Sequence, residues 1–297
     1  MIDQSAYAVG DVHGCLAPLR DALGRAGFVD GDGRWIAGNA SLWFLGDLTD
    51  RGPDGVGVLD LVMDLQRQAD AAGGEVGCLL GNHELMLLAA HLPEGSNQRY
   101  SPQAEEMAHQ MFRERWMGNG GKEADSARLT HEHLAWIAAL PAMMLLGDHL
   151  LMHADTLGYR NYGASVDEVN EAVAGILAGP VDLEQIDELT HMMTKRFAFA
   201  SDDGMAACEF LAEYGGRQIV HGHSPVPLLL GKDPQEVTGP LVYAGGYAAN
   251  FDRHLPRRTL LRRPAAYDAA RAAGFCWVCR VVNPSLTGSQ ISSHSVR

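Results

Sequence analysis

A-Y-A-V-G-D-V-H-G at Ala6–Gly14 is the stretch whose reading decides the fold. The apolar run Ala6–Gly10 reads as a short buried strand that ends in Asp11 and His13. Leu16–Ala26 follows with Leu16, Leu19 and Leu23 on one helical face. The same order recurs twice. Ser41–Leu45 runs into G-D-L-T-D-R-G at Gly46–Gly52, and a helix follows from Pro53 through Val56, Leu59, Val62, Met63 and Gln66. Glu75–Leu80 runs into G-N-H-E at Gly81–Glu84, with a short helix over Glu84–Leu92. A βαβαβα order is that of a parallel sheet covered by helices. Its three βα corners deliver Asp, His and Asn to the carboxyl ends of adjacent strands, where α/β sheets build active sites.

Beyond Leu92 the alternation loosens. Pro93–Pro102 reads as a polar loop. Helices over Ala104–Trp116 and Thr130–Ala139 are split by the glycine-rich Gly118–Gly121, a helical insertion at about 93–140. Ala142–Leu146 and His149–Met152 are apolar runs joined by the turn dipeptide Gly147-Asp148. Helices follow over Val166–Leu177, Asp182–Arg196 and Ala206–Tyr214, the first two in a second insertion at about 155–200. Gln218–Val220 reads as a strand running into H-G-H-S-P at His221–Pro225. From Val226 to about Asn283 short strands and turns are expected, and the Ser-rich 284–297 reads as a mobile tail. Without an internal repeat or an obvious linker, 1–283 is expected to be one domain.

Composition bounds the function. The 297 residues suffice for a substantial core, and 46% hydrophobic with 20% charged residues is ordinary for a globular protein. A formal net charge of −14 argues against a general nucleic-acid or anionic-membrane partner. It also means that an anionic substrate needs cations held locally. Cys15, Cys78, Cys208, Cys276 and Cys279 are scattered and odd in number, unlike a disulfide framework. Cys276 and Cys279 have no second pair to complete a zinc site and read as strand residues. The N-terminal M-I-D-Q-S-A-Y lacks the basic and long apolar regions of a secretory leader. No segment approaches the about 18 apolar residues of a membrane span. The expectation is a cytoplasmic enzyme.

Asp11 and His13 lie two apart in one strand-end turn, so both can face one ion. Asp47 comes from the next strand end, Asn82 from the third, and His153 and His223 follow the runs Leu150–Met152 and Gln218–Val220. Carboxylate and amide oxygens mixed with imidazole suit a hydrolytic metal pair better than a thiolate zinc site. A pair needs a bridging carboxylate, which Asp47 can supply. Such a pair lowers the pKa of a bound water and clamps a phosphoryl group. Singly, each motif has a plain alternative: Gly-Asp before a helix is often a turn and cap. Three such motifs after strands, followed by two strand-end histidines, are hard to obtain by chance.

On G-D-V-H-G, G-D-L-T-D-R-G, G-N-H-E, the His153 strand end and G-H-S-P at Gly222–Pro225, the chain resembles the calcineurin-like metallophosphoesterases. Within them it is most similar to the phosphoprotein phosphatase branch, including its bacterial members and the symmetrical diadenosine tetraphosphatases. The resemblance spans about Tyr7 to Pro225. It implies a four-layer α/β/β/α sandwich with helical insertions and two divalent metal ions between the sheets, manganese foremost, with iron or zinc as alternatives. It implies that Asp11 and His13 hold the first ion, Asp47 bridges both, and Asn82, His153 and His223 hold the second. It makes His83 the general acid, Asp50 the carboxylate that orients and charges it, and Arg51 the phosphate grip. Arg196 is the candidate second phosphate arginine, or else a solvated helix-end residue. Tyr247, in Y-A-A-N-F-D at Tyr247–Asp252, matches a tyrosine that overhangs the site, or is a packed strand tyrosine.

Two positions depart from the family pattern. Ala154 and Asp155 follow His153 where glycine is usual; Asp155 either adds a carboxylate behind the site or only turns the chain. His221 either supports the site or is itself a ligand. The arginines 253, 257, 258, 262 and 263 read as a solvated surface, or as a rim for distal phosphates. His131 and His133 read as surface residues. The implied activity is metal-dependent hydrolysis of phosphomonoesters by a metal-bridging hydroxide, of the serine/threonine protein phosphatase kind. Its substrate would be a phosphorylated protein or a small phosphoester. The alternatives are hydrolysis of diadenosine tetraphosphate or another nucleotide phosphoanhydride, and an inactive binding module. The last would be marked by a lost ligand or a lost His83, and none is lost.

Overall fold

A computed structural model describes residues 6–93, 101–179, 182–200, 202–233, 236–237, 239–252 and 278–281. The expected tail 284–297, the arginines 253–263 and Cys276 lie outside the described residues. Among the described residues the strands form two sheets. The first contains β1 (Ala6–Val9), β2 (Ser41–Phe44), β3 (Glu75–Cys78) and β9 (Val278–Val281), in the order β3-β2-β1-β9. Its first three strands are parallel, and β9 runs antiparallel beside β1. The second contains β4 (Met143–Leu146), β5 (His149–Met152), β6 (Gln218–His221), β7 (Leu241–Tyr243) and β8 (Ala248–Asn250), in the order β4-β5-β6-β8-β7. Its centre, β5-β6-β8, is parallel, and both edge strands are antiparallel to it.

Period-two alternation explains the layering. Ala8, Trp43, Leu45 and Leu79 from the first sheet meet Leu151, Val220, Ala249 and Phe251 from the second in one buried cluster. Their strand neighbours Val9, Leu42, Phe44, Leu150, Met152 and Ile219 point the other way, into the larger core that holds the helices. Helices α1 (Leu16–Arg25) and α2 (Gly55–Ala71) pack with the first sheet through Leu19, Leu23, Val58, Leu59 and Val62. α7 (Val166–Ala178) meets β4, and α9 (Met205–Tyr214) meets β6. Each fully buried leucine contributes about 1.5–3 kcal/mol relative to exposure. The result is the α/β/β/α arrangement that the motifs imply.

Helix boundaries differ from the periodicity reading where side chains cap them. α2 starts at Gly55, because Asp54 and not Pro53 makes the entry: its Oδ1 accepts the Gly57 N–H at 2.8 Å. α3 (Asn82–Ala90) starts two residues early, because Glu84 at its third position reaches back to the Gly81 N–H at 3.1 Å. Asn82 and His83 therefore sit on the first helical turn and not in a loop. The first insertion supplies α4 (Pro102–Gly118), α5 (Glu123–Ser126) and α6 (His131–Ala138), with α4 packed on α3. His133 is buried and not a surface residue: it caps α6 with Thr130, and its Nε2 lies 3.0 Å from Asp60 Oδ1. α8 (Leu183–Met193) stops three residues before Arg196. A short helix, α10 (Val226–Leu230), stands where only strands and turns were expected.

At the corner after β1 the two sheets touch. A Cβ on Gly10 would run into the backbone carbonyl of Phe251, at the end of β8. Gly10→Ala should therefore push the sheets apart at the site and lower stability by about 1–3 kcal/mol, the scale of overpacking. Urea denaturation monitored by circular dichroism measures this; an unchanged midpoint would show that the contact relaxes freely.

Candidate functional site

The motif loops turn more tightly than ordinary residues favour. His13, Asp47, Asp50, Arg51 and His223 all have positive φ, between 48° and 69°. Such left-handed non-glycine residues cost of order 1–3 kcal/mol each and persist only where the surroundings hold them. A fully buried carboxylate, Glu84, supplies much of that hold. It accepts N–H groups of Asp47 (2.7 Å), Leu48 (2.8 Å), Thr49 (3.3 Å) and Gly81 (3.1 Å), tying the β2 corner to the start of α3. Asp47 Oδ1 answers by accepting the His83 N–H at 3.0 Å.

His83 is held by the side chains of Asp50 and Arg51, and Trp116 in turn holds Asp50. Its Nδ1 lies 2.6 Å from Asp50 Oδ2, and the other oxygen of Asp50 accepts the indole N–H of Trp116 at 2.7 Å. Arg51 spans two imidazoles, with Nη1 2.7 Å from His13 Nε2 and Nη2 2.9 Å from His83 Nε2. A guanidinium only donates, so both Nε2 atoms accept and each ring carries its proton on Nδ1. Those protons go to the Thr49 carbonyl (3.2 Å) and to Asp50.

The remaining donors converge from the second sheet. His153 gives Nδ1–H to the Leu45 carbonyl (2.7 Å), which leaves its Nε2 lone pair facing Asn82 Oδ1 (3.1 Å) and Asp47 Oδ1 (3.3 Å). A cation between these three atoms would satisfy all of them at once. Histidine held by a backbone carbonyl on its other nitrogen is the usual state of a metal ligand. His223 is buried with neither ring nitrogen hydrogen-bonded, and its backbone N–H reaches Asp11 Oδ1 at 3.0 Å. Asp11 Oδ2 lies 3.7 Å, and Asp47 Oδ2 3.6 Å, from His13 Nε2. Among the described residues, two groups have ligand atoms all within 4.8 Å of one another: His13–Asp47–His83 and Asp47–His153–His223. Asp47 belongs to both. The residues fit a pair of divalent ions.

Electrostatics agree. Burial pushes Asp47 up to about 8, with Glu84 adding to the rise. Burial likewise raises Asp11 well above the usual carboxylate range, helped by Asp252 and Asp47. It raises Asp50 well above that range too. His223 is held well below the ordinary histidine range, first by burial and then by the Arg196 charge. Carboxylates made costly to ionise are what bound divalent cations relieve, and a neutral His223 keeps a lone pair for one.

Asp11, His13, Asp47, Asn82, His153 and His223 are thus brought together, with His83, Asp50 and Arg51 beside them. Arg196 also comes near: its Nε donates to the His223 carbonyl at 3.1 Å. Tyr247 does not. It precedes β8, at the end of the sheet away from His153 and His223, and is 40% exposed. The tyrosine that does reach inward is Tyr243, whose hydroxyl is 2.8 Å from His221 Nε2 and 3.4 Å from Asp155 Oδ2. With its Nδ1 on the Gly222 carbonyl (2.8 Å), His221 has partners for both nitrogens and stands behind the ligand set. Asp155 accepts from Ser224 and from the Phe197 N–H (2.8 Å), joining the segments that carry His153, Arg196 and His223. Three residues were not foreseen from sequence: Glu84, Trp116 and Tyr243, the last of which has no motif around it. Glu84 carries a signal, since it is the fourth letter of G-N-H-E, three residues after a helix start. Trp116 carries none beyond its place in a helical face.

A two-sheet α/β fold with strand-end His, Asp and Asn gathered between the sheets defines the metallophosphoesterase class. The chain matches the description "Calcineurin-like phosphoesterase" over residues 6–227 and belongs to that family. It is 39% identical over 79 residues to Shewanella-like protein phosphatase 2 of Arabidopsis thaliana, covering 27% of this chain and 20% of the relative. It is 29% identical over 151 residues to the symmetrical bis(5'-nucleosyl)-tetraphosphatase of Neisseria gonorrhoeae strain NCCP11945, covering 51% and 43%. The chain thus spans less than half the length of these curated relatives. The crystal structure of a cold-active protein-tyrosine phosphatase from a psychrophilic Shewanella species superposes with a TM-score of 0.60 at 21% identity, over 84% of this chain and 71% of that one, and is similar in fold. Among the described residues, no helix is long and apolar enough to cross a membrane.

Because burial raises Asp47 to about 8, folding the metal-free protein near neutral pH requires this carboxyl to take up a proton, and Asp47→Asn should stabilise that form. Added manganese should raise the melting temperature of the wild type, by linkage, and leave that of the variant nearly unchanged. Thermal shift with and without metal reads both. An equal metal-induced rise in the variant would remove Asp47 from the ligand set.

Proposed function

We propose that the chain is a metal-dependent phosphomonoesterase of the serine/threonine protein phosphatase kind. The observation that carries this reading is the buried Asp50–His83 pair, 2.6 Å apart, with Arg51 against the same imidazole. Asp11, His13, Asp47, Asn82, His153 and His223 would hold two divalent ions, manganese foremost. When bound, these supply Lewis-acid charge neutralisation and an activated water nucleophile. Arg51 offers a planar, always-charged fork for the phosphate. A phosphate that draws this guanidinium away frees His83 Nε2 to carry the proton for the leaving oxygen. Asp50 fixes the Nδ1–H tautomer and stabilises the imidazolium, which matches imidazole to proton donation near neutral pH. Arg196, anchored on the His223 backbone, is the second phosphate contact. The Tyr247 role is not carried forward.

A general acid matters most when the leaving group is an alkoxide, as from phosphoserine or phosphothreonine. A phosphoanhydride expels a phosphate that is stable without a proton. The elaborate hold on His83 therefore favours ester over anhydride substrates. The second reading, hydrolysis of diadenosine tetraphosphate, is supported by the match to the Neisseria relative over 151 residues.

His83→Asn should lower kcat on a phosphoserine peptide by about 10²–10⁴-fold, the range of general acid catalysis, with two metals still bound by elemental analysis. Metal loss in that variant would make His83 a ligand instead. With manganese supplied, a phosphopeptide should be preferred over diadenosine tetraphosphate by more than about tenfold in kcat/KM, or ~1.4 kcal/mol. The reverse preference would establish the nucleotide reading.

A further inference from the structure

Helix α4 lies in an insertion far from the motifs, yet its last turn reaches the centre of the site. Trp116 is fully buried. Its indole N–H donates to Asp50 Oδ1 at 2.7 Å, while Asp50 Oδ2 holds His83 Nδ1 at 2.6 Å. The chain indole–carboxylate–imidazole is continuous, and every member is buried. Indole nitrogen can only donate, so its partner must remain an acceptor. The turn after α4 is shaped around this contact. A Cβ on Gly121 would strike the Trp116 ring, and the Gly120 carbonyl accepts the Arg51 N–H at 2.8 Å. One short segment thus holds both the carboxylate behind the imidazole and the backbone of the phosphate arginine.

We propose that Trp116 is a positioning residue for proton donation: its indole N–H keeps the Asp50 carboxylate oriented on His83 Nδ1, so that His83 presents Nε2 to the leaving oxygen. The inference rests on the reading of His83 as the general acid. A buried carboxylate with one unsatisfied oxygen would rotate or take another partner, and His83 would lose its fixed ring orientation. Trp116 touches neither phosphate nor any metal ligand, so its effect should depend on how much the leaving group needs a proton.

The test uses manganese-loaded full-length protein and a series of phosphate monoesters. It runs from p-nitrophenyl phosphate, whose phenolate leaves unaided, through phenyl phosphate to a phosphoserine peptide. Trp116→Phe should lower kcat on the phosphoserine peptide by about tenfold to hundredfold, a part of the whole contribution of an acid, and on p-nitrophenyl phosphate by less than about threefold. KM and metal content should stay near wild type. In an Asp50→Asn background the same change should cost nothing further, because Trp116 acts through Asp50. Equal losses across the series, or a further loss in that background, would make Trp116 a packing residue and overturn the proposal. Should the phenylalanine variant not fold, β-(3-benzothienyl)alanine at this position keeps the ring and lacks the N–H, and must show the same leaving-group dependence. A second readout needs no turnover: the downfield proton of the His83–Asp50 hydrogen bond, observed by NMR in metal-free protein, should shift or broaden in the variant. An unmoved resonance would also overturn the proposal. His83→Asn in the same series separates the two claims. If it shows no leaving-group dependence, the reading of His83 fails; if it does and the Trp116 variants do not, only the role of Trp116 fails.

Discussion

The Glu84 carboxylate is the interaction on which the rest of the site depends. It satisfies four backbone N–H groups, three of them on the turn after β2 and one at the start of α3. That turn carries Asp47, Asp50 and Arg51, and all three are left-handed. Without an acceptor at this spot, buried amides would lack partners and the strained turn would open. The helix start contributes as well, since its positive dipole end favours a carboxylate. This one carboxylate therefore determines where Asp47, Asp50 and Arg51 stand.

Around that brace the protein concentrates charge it cannot easily bury. Asp11, Asp47, Asp50 and Asp252 are all nearly inaccessible, and the first three are pushed upward by burial. On a chain of net charge −14 this is a destabilising choice. It is explained by what comes with it: neutral imidazoles, an amide oxygen and the guanidinium of Arg51, all within a few ångströms. The site is strained and electrostatically unbalanced alone, an imbalance that bound divalent cations would correct. Stability has been given up locally for a preorganised place to bind a phosphoryl group.

Much of this was legible in the sequence because the code is local. Strand, loop and helix recur three times with Asp, His or Asn next to the strand end, so the parallel sheet and the candidate ligands follow from adjacent residues, while the second sheet and the ligand roles came from the family resemblance. What was not legible lies in contacts between distant segments. Glu84 works 36 residues from Leu48, and Trp116 works 66 residues from Asp50. Tyr247 was placed over the site by its local string, but the parallel pairing of β6 with β8 puts it at the opposite end. The side chain that reaches inward is on the edge strand, Tyr243, with no motif to announce it. His133 looked like a surface residue because its partner, Asp60, belongs to another helix.

The insertion between the motifs also changes meaning once its contacts are seen. Read as a sequence, the segment at about 93–140 is only a helical insertion between motifs. In the structure it grips the catalytic turn at several points. Trp116 holds Asp50, the Gly120 carbonyl takes the Arg51 N–H, Asp125 accepts the Gly55 and Val56 N–H groups at 3.3 Å, and Arg128 pairs with Asp54. Residues 50–56 are thus held from the side by the insertion, and the preceding residues 47–49 by Glu84. An insertion joined this way cannot be exchanged without disturbing Asp50 and Arg51, which it holds.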